Sequence, residues 1–479
     1  MRLPPFTPRP LLASACCAAI LAAIATPAHA DLTGEALAAA KKATSFLVEH
    51  VSTEGGYLWR YSADLKHREG EGVVKTSTVW VQPPGTPAVG QAFVKLYQAT
   101  GDQQFLDAAR AAAESLRRGQ MRSGGWQAMV EFEPERRRRW AYRIDHAGSK
   151  AKDQSSLDDD KTQSALRFLI QLDQSLGFKD ESIHEMTLYG LDGLLRRGQF
   201  TGGGFPQVWT ARRDLDTPRL NANYPDSWPK TYPGHNEYWY RYTLNDHLAR
   251  GVMKVLLLAD QVYDDPRYRT SAIRLADSLL AAQMPAPQPA WAQQYNAQMQ
   301  PIWARKFEPP AITTSESFSV IETLMMAYRE FGDRKYIEPI PRALDYLESC
   351  HLPDGRVARF YELKTNRPLY FTLDYQLTYD DSNMPTHYGF QLQSKVPQLR
   401  KQYERIARLT PKQLAESAQK RRQPKASVVQ AIIDRQDERG AWLSDEPMRY
   451  NRVAGPTIKM DVAVEHLTTL ADYLAAADR

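Results

Sequence analysis

The stretch Ser123-Gly124-Gly125-Trp126 decides the fold, because its glycine-glycine-aromatic pattern is repeated along the chain. Gly55-Gly56-Tyr57 precedes it and Gly203-Gly204-Phe205 follows it, at intervals of about 70 and 80 residues. Weaker copies are Pro353-Asp354-Gly355-Arg356 and Arg439-Gly440-Ala441-Trp442, and Gln283-Met284-Pro285 stands where a further copy is expected. Periodicity of this length indicates a repeat architecture in which each unit is one supersecondary element.

Each period contains two amphipathic helices joined by a short turn. The predicted pairs are 87–100 with 105–116, 163–172 with 183–195, 244–262 with 268–282, 317–331 with 336–350, and 396–409 with a helix ending near Asp434. Segments 37–48 and 462–476 have no partner in sequence, so we expect them to pair and close a ring of six hairpins. We therefore predict an all-α fold, an α/α toroid (barrel) of helical hairpins with long loops forming the site at one end.

The composition is that of a globular protein rather than of a disordered chain or a nucleic-acid-binding arm. Hydrophobic residues make up 43% of the 479 residues, and 61 Lys and Arg against 56 Asp and Glu leave a net charge of only +5. We therefore expect no nucleic-acid partner. Two of the three cysteines lie near the N-terminus, which leaves Cys350 alone and predicts no disulfide in the rest of the chain.

The first thirty residues have the pattern of a secretory signal peptide. Arg2 and Arg9 are the only charges before Asp31, residues 11–25 are apolar, and Ala28-His29-Ala30 has the small-x-small pattern of a cleavage site. We predict a signal peptide at 1–30 and a single catalytic domain at 31–479. The mature protein is expected to be secreted or periplasmic, not membrane-bound, and a monomer.

Long loops between the hairpins hold most of the Trp, Tyr, Asp and Arg residues. They are 54–84, 123–159, 202–243, 285–314 and 354–388. Loops carried by a rigid scaffold are frequent positions for binding and catalytic residues. Aromatic faces and polar groups together suit a carbohydrate, although the same aromatic residues could instead cap the core at the mouth of the barrel.

Five groups of residues in these loops resemble the family 10 pectate lyases (pectic acid lyases). They are Ser156 to Gln163, Gly203 to Gln207, Tyr242 to Asp246, Trp303 to Pro310 with Ser315-Glu316-Ser317, and Arg359 to Glu362 with Thr365 to Pro368. They occur in the order that the family shows. The resemblance implies a toroid catalytic domain that uses Ca²⁺ as cofactor and cleaves polygalacturonate, an acidic polysaccharide, by anti β-elimination.

The chain departs from the family pattern at two positions. Asn245-Asp246-His247 stands where the family usually has Asn-Asp-Asp, so the second carboxylate is missing. Asp158-Asp159 stands where the family usually has Asp-Asn. The fold expected from the resemblance is unaffected, but the substrate is open within the uronic acid polymers.

The resemblance assigns the metal to two aspartates. Asp158 matches the family aspartate of Ca²⁺-assisted catalysis, and Asp246 matches the first aspartate of the Asn-Asp pair. Calcium takes hard oxygen ligands such as carboxylates. Asp158 could instead cap the helix that begins near Lys161, as Asp159 or Asp160 could, and Asp246 could cap or pair along its own helix.

The resemblance also assigns the arginines. Arg305 matches the family arginine proposed as the base, for which nearby cations would have to disfavour its charge; it could instead pair with Glu308 or Glu316. Arg367, or alternatively Arg359, matches the arginine that binds the substrate carboxylate, for which a guanidinium offers a bidentate fork. Lys230, Tyr232 and Trp209 are assigned to substrate subsites from their loop position alone.

Two other classes of function remain open at this point. A glycoside hydrolase on the same toroid needs a pair of carboxylates, which Asp158 and Asp246 could supply. A non-catalytic polysaccharide-binding protein would follow if His247 marked a lost site. A requirement for Ca²⁺ and an unsaturated product would distinguish a lyase from both.

Overall fold

The chain forms twelve long helices in the computed structural model, which describes residues 27–145, 148, 150–211, 217–234, 237–410, 413–414 and 423–477. The helices are α1 (Pro27–Phe46), α2 (Thr86–Thr100), α3 (Gln103–Arg117), α4 (Lys161–Ser175), α5 (Glu181–Gly193), α6 (Leu248–Tyr263), α7 (Pro266–Ala281), α8 (Thr314–Phe331), α9 (Ile340–Ser349), α10 (Val396–Ala407), α11 (Ala426–Asp434) and α12 (Met460–Ala477). Shorter helical segments are Leu47–Val51, Pro134–Arg137, Asp158–Asp160, Leu194–Gly198, Tyr238–Tyr240, Asn245–His247 and Arg334–Tyr336.

Gly-Asp pairs explain how a hairpin turns. Gly101 adopts φ +68° and its N–H donates to Tyr97 O, which ends α2. The side chain of Asp102 then accepts from the N–H of Gln104 and caps α3. Glycine supplies the left-handed conformation without steric cost, and aspartate satisfies a free N–H at the helix start. Gly332-Asp333 repeats this arrangement after α8.

The helices are arranged as two concentric rings. The inner helices α12, α2, α4, α6, α8 and α10 pack against one another in that order, and each is followed along the chain or across the termini by an outer helix. One contiguous apolar core fills the space between them. The predicted helices and the all-α toroid are confirmed.

The N- and C-terminal helices pack together, as a closed ring of six hairpins predicts. Helix α1 packs against α12 and α11. Beside them the strand Arg60–Ser62 pairs antiparallel with Thr457–Lys459, so that Arg60 lies opposite Lys459. The sixth hairpin is therefore made from the two ends of the described chain.

The glycine turns pack the start of each loop against an outer helix. The first glycine has a positive φ, +110° at Gly124 and +104° at Gly203, and a side chain at Gly203 would meet Arg274 O of α7 at 2.2 Å. The following aromatic residue is buried, and the indole N–H of Trp126 donates to Leu116 O of α3. The turn therefore requires glycine for both its conformation and its close approach.

A buried glutamine accompanies three of these turns, and sequence analysis did not single it out. Gln199 Nε2 donates to Gly203 O and to Ser271 O of the next outer helix, and Gln120 makes the corresponding bonds to Gly124 and Met186. Gln283 bonds in the same way to Pro289 and Pro339. The weaker copy at 283–285 thus keeps the glutamine that bonds the turn to the next outer helix, although its glycines are absent.

Short antiparallel strands connect neighbouring loops. One four-stranded sheet has the strand order Leu443–Ser444, Thr457–Lys459, Arg60–Ser62, Arg68–Glu69, and a second has the order Leu377–Thr378, Pro368–Phe371, Phe360–Glu362, Ala311–Thr313. The two-stranded sheets are Thr78–Trp80 with Met129–Glu131, Ser155–Ser156 with Val208–Trp209, Tyr242–Thr243 with Gln294–Tyr295, and Arg356–Ala358 with Gln391–Gln393. Each loop runs from the end of an outer helix to the start of an inner helix. All the loops therefore lie at one end of the toroid.

Two sequence-based predictions concern the chain termini and the lone cysteine. The proposed signal peptide at 1–30 lies almost wholly outside the described residues. Within the described part of the chain, no helix combines the length and apolar character needed to cross a membrane. Cys350 is buried and unpaired at the end of α9.

Candidate active site

Two turns of the same backbone shape stand at the loop end of adjacent inner helices. The turn Asp158–Asp160 leads into α4, and Asn245–His247 leads into α6. Asp159 and Asp246 have φ values of +46° and +48°, and the residue after each is also left-handed. Such conformations cost a non-glycine residue roughly 1–2 kcal/mol, and they concentrate at functional sites. Asp159 therefore occupies in its turn the position that Asp246 occupies in the other.

The two turns bring three carboxylates together. Asp158, Asp159 and Asp246 each place an oxygen within 4.8 Å of the others. Asp158 and Asp246 thus approach one another from separate hairpins, as expected for a shared metal. None of the three caps a helix through its side chain; Asp160 is the residue at the start of α4, and its carboxylate pairs with Arg167.

Neighbouring ammonium and amide donors hold these carboxylates in place. Asp158 accepts from Lys161 Nζ at 2.7 Å and from Gln207 Nε2 at 2.5 Å. The strand pairing of Ser156 with Val208 explains the second contact, since it aligns the two loops next to these residues. Gln82 Nε2 donates to Asp159 Oδ2 at 3.1 Å, and Asn245 Nδ2 donates to Asp246 Oδ2 at 2.5 Å.

The cluster carries more negative charge than burial favours. Burial, followed by the Asp159 and Asp158 carboxylates, raises the pKa of Asp246 to about 8. Burial and Asp158 also raise the pKa of Asp159. Burial alone would raise the pKa of Asp158, but Lys161 and the hydrogen bond from Gln207 together outweigh it and keep that pKa below its usual range. Carboxylates this close cannot all be charged without a neighbouring cation.

The donor set suits a hard divalent cation. Three carboxylates and the buried Lys161 ammonium leave a charge of −2 when all are ionised. Oxygen ligands are those that Ca²⁺ prefers. Asp158, Asp159 and Asp246 are thus the residues that would hold the ion.

Arg305 lies beside this cluster in a close ion pair. Its Nε and guanidinium nitrogen donate to Glu308 at 2.8 and 2.5 Å, and Tyr388 donates to the same carboxylate at 3.0 Å. Arg305 is near enough to Asp159 and Asp246 to lower the pKa of each. Burial lowers the pKa of Arg305, but Glu308 outweighs burial and raises it well above the usual range. Arg305 thus makes the ion pair with Glu308 that the sequence analysis gave as an alternative to its role as base.

Of the two arginines assigned to the substrate carboxylate, Arg359 is the one near Tyr388 and Glu316. Arg359 Nε donates to Gly389 O at 2.7 Å and the guanidinium lies 4.5 Å from the centre of the Tyr388 ring. Burial raises the pKa of Glu316 to about 7, and Arg359 moderates that rise. Arg367 instead lies over the Tyr379 ring, 3.4 Å from its centre.

Lys230 and Arg367 share a second cluster of side chains. Lys230 pairs with Glu362 and lies over the Trp228 ring at 3.6 Å. Tyr379, which Arg367 covers, donates to the same Glu362 carboxylate at 2.9 Å. Both cations are partly exposed and remain available to an anionic ligand.

The structure contradicts the assignment of Trp209 to a substrate subsite. Its side chain is fully buried and its indole N–H donates to Ser123 O at 2.9 Å. A sugar ring cannot stack on a face that is packed into the core. Tyr232, assigned on the same grounds, is partly buried and lies edge-on to Trp303.

Several residues around the site were not assigned from sequence. Lys161 and Gln207 stand inside the quoted motifs, so position alone could have drawn attention to them. Gln82 and Tyr388 come from other segments and meet the site only after folding. Burial, with Lys395 and Arg250, lowers the pKa of His247, so its ring is neutral at pH 7.

Parts of this chain are similar to known polysaccharide lyases. The family model for pectic acid lyase matches residues 136–330. A family 10 polysaccharide lyase from Cellvibrio cellulosa has 18% identity and a TM-score of 0.46, covering 67% of this chain and 98% of its own. A mutant of that lyase in complex with trigalaturonic acid gives the same values.

Other solved structures cover more of the chain at lower identity. An unsaturated glucuronyl hydrolase specific for heparin has 10% identity and a TM-score of 0.43, over 94% of this chain and 98% of its own. No curated protein sequence matches the chain significantly. The match at 136–330 spans Asp158, Asp246 and Arg305 and supports a polysaccharide lyase. The resemblance to pectic acid lyases that the motifs predict is thereby confirmed.

Proposed function

We propose that this chain is a pectate lyase-like enzyme that uses Ca²⁺ and cleaves polygalacturonate, or a related uronic acid polysaccharide, by anti β-elimination. The observation that carries the proposal is the meeting of Asp158, Asp159 and Asp246 beside Arg305. All four residues lie in the segment that the pectic acid lyase model matches.

The reaction requires a base at C5 of a uronate and stabilisation of negative charge on its carboxylate. The base takes the C5 proton, a C4–C5 double bond forms, and the C4–O bond breaks, after which the departing oxygen takes a proton from solvent. Ca²⁺ held by Asp158, Asp159 and Asp246 would stabilise the charge that develops. The three aspartates are the protein's contribution to this stabilisation. The elimination consumes no water.

Arg305 is the proposed base and acts from its neutral form. The ion pair with Glu308 opposes that role, so the charge of Glu308 must be neutralised when substrate binds. Tyr388 already donates to Glu308, and Arg359 lies near Glu316, so each of these carboxylates has a partner other than Arg305. Arg359, Arg367 and Lys230 are proposed to bind uronate carboxylates of the polymer.

We further propose that the enzyme acts as a secreted or periplasmic monomer. The pattern of residues 1–30 supports export. Pectic polymers are extracellular substrates, so export and the proposed activity agree with each other.

The test is a digest of polygalacturonate by the purified mature chain, with added Ca²⁺ or with a chelator. We expect ultraviolet-absorbing unsaturated products with Ca²⁺, their loss with chelator, and recovery when Ca²⁺ is restored. Asp158→Asn should lose most activity, whereas Asp160→Asn, which changes the neighbouring carboxylate, should retain most of it. Saturated products would identify a hydrolase, and binding without cleavage would identify a carbohydrate-binding protein; either result would overturn the proposal.

A further inference from the structure

We infer that Asp159 is a third carboxylate ligand of the cation and that this chain binds Ca²⁺ before any substrate is present. The inference rests on the proposed function, which locates the Ca²⁺ site. It goes beyond that function by adding Asp159 as a ligand and by stating that Ca²⁺ binds before the substrate. Two carboxylates leave most of a six- to eight-oxygen shell to the substrate. A third carboxylate, supported by neutral oxygens, makes binding to the free protein favourable.

The position of Asp159 is the first argument. Its φ of +46° matches that of Asp246 in the equivalent turn, so both side chains project from corresponding backbone positions of adjacent hairpins. An oxygen of Asp159 lies within 4.8 Å of oxygens of Asp158 and Asp246. One ion with ligand distances of 2.3–2.6 Å can bridge oxygens separated by this much.

Two buried amide oxygens provide the second argument. Gln82 and Asn245 donate their amide N–H groups to Asp159 and Asp246, which places both amides at the cluster. The remaining oxygens, Gln82 Oε1 and Asn245 Oδ1, are buried and have no hydrogen-bond partner among the residues that the structure describes; the two residues are 8% and 6% exposed. Unpaired buried acceptors are unfavourable, and amide oxygens are among the ligands that Ca²⁺ takes.

The charge of the site is the third argument. Lys161 is 6% exposed and its ammonium lies 2.7 Å from Asp158 and 3.9 Å from Asp159. It compensates one of the three carboxylates and leaves two uncompensated. A divalent ion would neutralise these without contribution from a uronate.

The experiment is calorimetric titration of the full mature chain with CaCl₂ in the absence of polysaccharide. We expect one saturable site in the wild-type protein and at least about tenfold weaker binding in Asp159→Asn. Asparagine tolerates the left-handed backbone, so this variant should fold; Asp159→Gly, which relieves the conformation entirely, is the second variant. Asp160→Asn is the matched control and should bind Ca²⁺ as the wild type does, because Asp160 pairs with Arg167.

Melting temperature is a second readout on the same proteins. Added Ca²⁺ should raise it in the wild type and in Asp160→Asn, and by less in both Asp159 variants. No saturable site in the wild type, or unchanged affinity in both Asp159 variants, would overturn the inference. These outcomes are independent of turnover. A protein that binds Ca²⁺ but yields no unsaturated product contradicts only the proposed function, and one that yields product but binds Ca²⁺ only with trigalacturonate contradicts only this inference.

Discussion

Arg305 shows how one neighbour determines the protonation of a candidate base. Its ion pair with Glu308 holds the guanidinium charged, whereas a base must be neutral. Glu308 is 2% exposed and also accepts from Tyr388, so this carboxylate is fixed in position and its effect on Arg305 is strong. Compared with the family pattern, one of the two turns gains a carboxylate and the other loses one. Asp159 stands where the family pattern has an amide, and His247 stands where it has a carboxylate.

Glu308→Gln should therefore move the pH dependence of elimination. Glu308 raises the pKa of Arg305, so removing its charge lowers that pKa and increases the neutral fraction of Arg305 at any given pH. If Arg305 is the base, the rising limb of the kcat–pH profile shifts to lower pH in this variant. Glu322→Gln, which removes a carboxylate paired with Arg250, is the control and should leave the limb in place.

Substitution of Arg305 itself separates catalysis from packing. Arg305→Lys should reduce turnover by at least about a hundredfold, because lysine does not reproduce the planar fork and a misplaced base loses general-base catalysis. Arg219→Lys is matched, since Arg219 is similarly exposed, 49% against 42%, and also pairs with a carboxylate. Near-normal turnover in Arg305→Lys, with its melting temperature preserved, would exclude Arg305 as the base.

At the scale of elements, the glycine turns connect a sequence pattern to helix packing. Gly203 and Gly332 both have positive φ values, +104° and +71°. Only Gly203 lies against another element, since an added Cβ would meet Arg274 O of α7 at 2.2 Å, while Gly332 has open space. One glycine is thus required by conformation alone and the other by conformation and contact.

Gly203→Ala should consequently destabilise the protein more than Gly332→Ala. Both variants incur about 1–2 kcal/mol for a left-handed alanine. Gly203→Ala should cost roughly 1–3 kcal/mol more, because the backbone of α7 must shift. Urea unfolding midpoints measure the difference, and equal losses in the two variants would show that the close approach to α7 is unimportant.

For the whole molecule, the meeting of the two chain ends completes the ring. Gly440 stands so close to α1 that a Cβ there would lie 2.6 Å from Lys42 O, and Gln436 donates to Ala39 O of the same helix. Helix α1 is thus packed as the outer member of the last hairpin. Its loss should be felt by the fold as a whole rather than locally.

Ala43→Glu tests this closure. Ala43 is fully buried in α1, so an unpaired carboxylate there should lower the free energy of unfolding by about 3 kcal/mol or more. Ala38→Glu lies on the exposed face of the same helix and should change it by less than about 0.5 kcal/mol. Circular dichroism and tryptophan fluorescence should report one coincident urea transition, shifted only in Ala43→Glu. An unshifted main transition in that variant would mean that α1 is not part of the cooperative unit.

The sequence by itself determined the helices, their pairing and the ring, because helical periodicity, Gly-Asp caps and glycine turns act through neighbours in the chain. Its motifs also identified Asp158, Asp246 and Arg305 as candidate site residues. Tertiary structure alone decided what surrounds them. Gln82 and Tyr388 reach the site from other loops, Trp209 turns into the core, and Arg359 rather than Arg367 lies near Glu316. Contacts between distant loops set burial and charge, and these quantities control protonation and metal affinity but leave no local pattern in the sequence.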